Sequence, residues 1–266
     1  MRFLLSFLCV STLLFADKPV ILVSLAPYSN LVERIAKDTV IIKVIAPQNS
    51  DPHTFEPSIK SMEALNGASL WFCVGELFEK KIQRILKNEK LKIIDLRQNI
   101  TGIKGDRHFW LSIPALKTQA QTITNALVAK YPHMKNLYES NLKALLKELE
   151  KLNDDIVNFL KTSETKAILV THPAFVYFCK DYNLQQISLE QYGKEPTLKE
   201  LEDIYRQAKE FKISTIIMQP QHPKRGAMQI AKKLNIKAIM FDPYDKNFMR
   251  TMKMLAQLIA SGKNNK

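Results

Sequence analysis

The sequence predicts an α/β protein of two lobes, each built on a parallel sheet, joined by one long helix with a ligand held in the cleft between them. Three observations predict it. Short β-branched runs alternate with helical patterns in both halves of the chain. A stretch from Pro132 to about Thr162, without glycine or further proline, separates the halves. Residues able to bind a ligand fall just past strands on both sides of it, where open parallel sheets line their crevice.

The chain opens on a segment that is read apart from the fold. Met1-Arg2 supplies a positive charge, Phe3 to Phe15 is an apolar run, and Ala16 precedes Asp17. This is the layout of a secretory signal peptide over residues 1–16, and the run falls well short of the ~20 residues that span a bilayer. A leucine at the −3 position departs from the small-residue rule, and the bulky Leu8 before Cys9 argues against lipid attachment. An exported, soluble mature chain is expected.

The first lobe is expected over residues 17–130. Its strands read Val20–Ser24, Val40–Ile45, Leu70–Val74 and Lys92–Leu96, with helices near Tyr28–Lys37, Ser58–Asn66 and Leu77–Lys87. The connector is expected over 131–164. Tyr138, Leu142, Leu145, Leu149, Leu152, Ile156 and Phe159 recur at alternating spacings of four and three, one apolar stripe on a helix of ~45 Å. A coiled-coil dimer would use the same stripe, but between two lobes it fits a rigid connector of a monomer. The second lobe is expected over 165–266, with strands Ala167–Val170, Gln185–Leu189, Thr215–Met218 and Ala238–Phe241. Its helices are Ala174–Asp181, Leu198–Phe211, Ala227–Leu234 and Phe248–Ala260, and Thr197 with Glu200 makes a capping box.

Four residues in matching positions carry the chemistry. His53 lies in the loop after the second strand, between Pro52 and Pro57; His108 follows the fourth strand. His172 comes directly after Ala167–Thr171, and Asp242 ends Lys237–Phe241. Three imidazoles and one carboxylate form a complete tetrahedral shell for zinc, whereas magnesium or calcium would want mostly oxygen. Only five histidines occur in the chain. Of the other two, His133 reads as a surface residue, and His222, which follows a strand, is expected at the cleft mouth as an entry group for the metal or as a support behind its ligands. Four protein ligands leave no open position for an activated water, so no enzyme is expected.

Other classes fit less well. With 39 Lys+Arg against 26 Asp+Glu the net charge is +13, or +12 without Arg2. The lysines are scattered with no nucleic-acid motif among them, so no nucleic-acid partner is expected. A metallohydrolase would need an open coordination site and a general base; neither HExxH nor GxSxG occurs. An adhesin on the same scaffold is a further alternative. Cys73 and Cys179 fall in opposite halves and read as small buried hydrophobes rather than a disulfide.

The segments Asp51-Pro52-His53-Thr54-Phe55-Glu56-Pro57, His108-Phe109-Trp110-Leu111, Thr171-His172-Pro173-Ala174-Phe175 and Phe241-Asp242-Pro243 resemble the metal-binding cluster of periplasmic solute-binding proteins of ABC transporters, in its zinc-uptake branch. The resemblance spans nearly all of the mature chain. It implies metal ligands at His53, His108, His172 and Asp242, Zn²⁺ ahead of Mn²⁺ because His172 stands where manganese members usually carry a carboxylate, a permease partner in the cytoplasmic membrane, and a periplasmic location. Two departures stand out: no histidine-rich loop lies between His53 and His108, and Arg107 replaces a proline common before the second ligand.

Overall fold

The structure, a computed structural model, describes residues 18–63, 65–85, 90–103, 105–190 and 196–261. The leader expected over 1–16 lies outside them. Strands β1 (Val20–Val23), β2 (Ile41–Val44), β3 (Ala68–Cys73) and β4 (Lys92–Asp95) form one parallel sheet in the order β2-β1-β3-β4. Strands β5 (Ala167–Val170), β6 (Gln185–Ser188), β7 (Thr215–Met218) and β8 (Lys237–Met240) form the second, in the order β6-β5-β7-β8. All pairings are parallel. In both sheets the chain leaves an inner strand, visits one edge and crosses back to the other side. That reversal opens a crevice at the carboxyl ends of the strands.

Helices α1 (Ala26–Ala36), α2 (Ile59–Glu63), α3 (Leu77–Ile85) and α4 (Ile113–Lys130) belong with the first sheet. The second carries α6 (Val176–Asp181), α7 (Leu198–Glu210), α8 (Arg225–Leu234) and α9 (Phe248–Ala260). Between them runs α5 (Lys135–Lys161), preceded by a 3₁₀ turn at Pro132–Met134. Its 27 residues make a rod of ~40 Å. It buries Tyr138, Leu142, Leu145, Leu149, Leu152, Ile156 and Leu160, so the stripe ends on Leu160, with Phe159 only partly buried.

That stripe packs on α1 and α4 of one lobe and α9 of the other, within a single apolar cluster that takes in both sheets. Arg34 to Glu148, Lys117 to Glu150 and Lys253 to Asp155 pair its flanks with α1, α4 and α9. α4 is the element the sequence pattern does not announce. Its buried face mixes Ala115, Gln119, Ala120 and Thr124 with leucine and isoleucine, so no clean apolar stripe marks it. Thr197 accepts from the Glu200 amide while the Glu200 side chain accepts from the Thr197 amide, completing the capping box of α7. Cys73 and Cys179 are both free and buried, and His133 is exposed. Among the described residues no helix is long and apolar enough to cross a membrane.

Candidate metal centre

Three imidazoles meet in the cleft. The rings of His53, His108 and His172 form a near-equilateral triangle, with centroids 5.4, 5.2 and 5.5 Å apart. One potential ligand atom from each lies within 4.8 Å of the others. Two rings come from the first lobe and one from the second, so an ion held there would bridge the lobes.

Local sequence explains how each ring is aimed. The Asp51 carboxylate accepts from the His53 amide at 2.9 Å, and Asp106 accepts from the His108 amide at 2.8 Å. Both are aspartate turns, in which a side chain replaces the backbone acceptor two residues on. Arg107, between Asp106 and His108, donates from Nε to the Gly75 carbonyl at 2.7 Å and ties that loop to the end of β3. His172 is clamped through its backbone. The buried Gln219 side chain accepts from the His172 amide at 3.0 Å and donates to its carbonyl at 2.7 Å. Thr171 also hydrogen-bonds Gln219.

Each ring then has a carboxylate on Nδ1: Glu76 on His53 at 3.2 Å, Asp106 on His108 at 3.0 Å and Glu190 on His172 at 3.1 Å. An ionised carboxylate only accepts, so Nδ1 is the protonated nitrogen and Nε2 keeps its lone pair. This arrangement fixes the ring and makes it a stronger base toward a metal. The Nε2 of His172 is buried with no hydrogen-bond partner among the described residues. The Nε2 of His108 lies 3.2 Å from the Tyr244 hydroxyl, which an ion would have to displace. Burial pushes His172 down to about 4 despite Glu190. Burial also works to lower His53, but the Glu76 carboxylate outweighs it and holds the ring above its ordinary 6.5. Burial would raise Glu190, yet hydrogen bonds from His172 and His222 hold it at about 2. At neutral pH His172 is therefore neutral and Glu190 anionic, the states a zinc ligand and its support require.

Asp242 stands outside the triad. Its Oδ2 accepts from Gln48 at 2.8 Å, and its Oδ1 accepts from Gln221 at 3.0 Å and from the Tyr244 amide at 2.9 Å. Gln221 also donates to the Gln48 carbonyl at 3.0 Å, so these three residues tie the lobes together at the cleft. His222 lies beside His172, its ring stacked at 4.1 Å and tilted by 10°.

Sequence reasoning named the histidines and missed the groups that hold them: Glu76, Asp106, Glu190, Gln219 and Tyr244. A signal for two of them was present. Asp51-Pro52-His53, Asp106-Arg107-His108 and Asp242-Pro243-Tyr244 share an aspartate two residues before a ring, and in each the aspartate accepts from that ring residue's amide. Glu76 and Glu190 carry no such mark, because they reach the histidines across the sheets.

Comparison with known proteins gives the family of the chain. The zinc-uptake complex component A periplasmic family matches residues 21–262. A putative metal-binding protein of Chlamydia trachomatis is 34% identical over 252 residues, covering 91% of this chain and 90% of its own. The zinc-binding lipoprotein AdcA of Streptococcus pneumoniae is 23% identical over 82% of this chain, which matches only 48% of that longer protein. Among solved structures, that of ZnuA superposes with a TM-score of 0.88 at 34% identity, over 92% of this chain and 99% of the other.

Proposed function

This chain belongs to the zinc-uptake complex component A periplasmic family, and on that premise we propose that it captures Zn²⁺ outside the cytoplasmic membrane and delivers it to an ABC permease. The observation that carries the reading is the triad itself: His53, His108 and His172, from both lobes, each with a carboxylate on Nδ1. Nitrogen donors at this spacing suit zinc better than manganese, which favours carboxylates. The fourth position falls to Asp242 or to water.

Capture then needs no chemistry from the protein. The ion exchanges its water for neutral imidazoles, and Glu76, Asp106 and Glu190 offset its charge within a basic molecule. The chain acts as a carrier, not an enzyme, and works as a monomer exported behind a cleaved leader. Metal analysis of the purified protein tests the reading. Wild type is expected to hold one zinc per chain, and His172→Ala to lose it. Stoichiometric manganese, or zinc unaffected by the substitution, would overturn the assignment. Asp242→Asn decides the fourth position: a carboxylate ligand predicts a large fall in affinity, whereas a carboxylate that only holds its turn predicts a small one.

A further inference from the structure

His53 and His108 sit on different loops of the first lobe, yet both are held from one turn at the end of β3, Val74-Gly75-Glu76. Glu76, fully buried, reaches Nδ1 of His53 at 3.2 Å. The Gly75 carbonyl accepts from Nε of Arg107 at 2.7 Å, and Arg107 immediately precedes His108. The rest of that segment leans on the second lobe. The Ile103 amide donates to the Tyr177 hydroxyl and the Trp110 indole to the Pro243 carbonyl, each at 2.7 Å. The Arg107 bond therefore links His108 back to the turn that supports His53.

The turn is itself held by a further carboxylate. Glu79, 2% exposed, accepts from the Val74 amide at 2.8 Å through one oxygen and from the Gly75 amide at 2.7 Å through the other. Burial pushes its carboxyl up to about 7, against hydrogen bonds to Ser24, Val74 and Gly75 that favour the ionised form. A carboxylate is costly to bury, but an acidic side chain offers two oxygens to two neighbouring amides. Gly75 confines the turn from the other side. Its φ of +89° is one that L side chains rarely adopt, and a Cβ there would collide with the Arg97 guanidinium. Arg97 is in turn pinned to both oxygens of Asp95.

We propose that Glu79 is a positioning residue for metal capture, which together with Arg107 sets His53 and His108 as a pair through the Gly75 turn. The proposal rests on the reading of the three histidines as the zinc site. Losing Glu79 loosens both rings, whereas losing Arg107 loosens only the second. Glu79 also lies in the first turn of α3, and as a helix cap alone it would act on stability and not on the metal. Arg107 separates position from charge. Its cation works against a proton on His53 and equally against Zn²⁺, so removing it would by charge alone favour the ion. A loss of affinity without Arg107 therefore reports position.

The test measures zinc affinity by chelator competition beside the denaturant midpoint of the metal-free protein. Glu79→Gln keeps the shape but turns an NH₂ group against one of the two amides, and is expected to weaken zinc binding about 10–100-fold. Arg107→Ala should weaken it less, and Arg107→Lys, which can still donate to the Gly75 carbonyl, should restore most of the loss. Glu79→Gln/Arg107→Ala should bind no more weakly than Glu79→Gln alone, because both act through one turn. A lower midpoint with unchanged zinc affinity in Glu79→Gln, Arg107→Ala binding as tightly as wild type, or additive losses in the double variant would each overturn the proposal. If Glu79→Gln does not fold, the two Arg107 variants decide. Failure of the three-histidine reading looks different: wild type itself would then hold no zinc at one per chain.

Discussion

Asp51, Asp106 and Asp242 do the same local work, each accepting from the amide two residues on and so turning a ring into the cleft. By that pattern the counterpart of His53 and His108 in the second lobe is Tyr244, a residue 2% exposed whose hydroxyl sits on His108. Burial holds its phenol well above the ordinary range, so it remains a neutral donor and an ion must push it aside. Tyr244→Phe is therefore expected to bind zinc at least as tightly as wild type in a chelator competition; a weaker variant would make the hydroxyl a ligand. Acid should act through His53 before His172, because Glu76 keeps His53 above 6.5 while burial has taken His172 to about 4. Protons compete with zinc for the lone pairs. Affinity measured by equilibrium dialysis should hold in the alkaline range, begin to fall above pH 6.5 as the raised His53 takes up its proton, and leave little zinc bound at pH 5. Unchanged affinity at pH 5 would exclude the three-histidine shell. For the metal-free fold the signs differ. The lowered His172 contributes stability that is present above 6.5 and lost as pH falls towards 4, whereas the raised His53 contributes stability that is fully present below 6.5 and lost as pH rises through its folded value.

The connector α5 decides how the lobes behave as elements. Its stripe serves α1 and α4 on one side and α9 on the other, and Leu149 in its middle is fully buried. Leu149→Ala removes a fully buried side chain from the apolar cluster that takes in both lobes. It should destabilise the fold by about 2–5 kcal/mol, read as a lower midpoint in denaturant unfolding, while the purified variant still binds zinc. A change under 1 kcal/mol would mean that the stripe is not the shared core. The stripe was legible in the sequence because its spacing matches the helical period and neither glycine nor proline interrupts it. α4 was not, since a helix buried among several neighbours takes small and polar residues on its inner face as readily as apolar ones. Its start was marked all the same: Ser112 accepts from the Ala115 amide, a cap before Pro114 in the first turn.

Across the whole molecule, one apolar cluster runs through both lobes and the connector, and Gln48, Gln221 and Asp242 tie the cleft from either side. Such a body has no obvious hinge, and closure about the ion is expected to be small. Small-angle scattering with and without zinc should give the same radius of gyration within error; a clear contraction on loading would show a hinge that α5 does not prevent. Hydrophobic period, turn residues and strand-end placement determined the two parallel sheets, the long helix and the three histidines, because each is a local pattern written in consecutive residues. Which carboxylate meets which imidazole, that Asp242 binds amides from both lobes, and that His222 stacks on His172 were decided only by the tertiary structure. Those contacts join residues up to 194 positions apart, and no local rule of the chain specifies where two sheets bring them together.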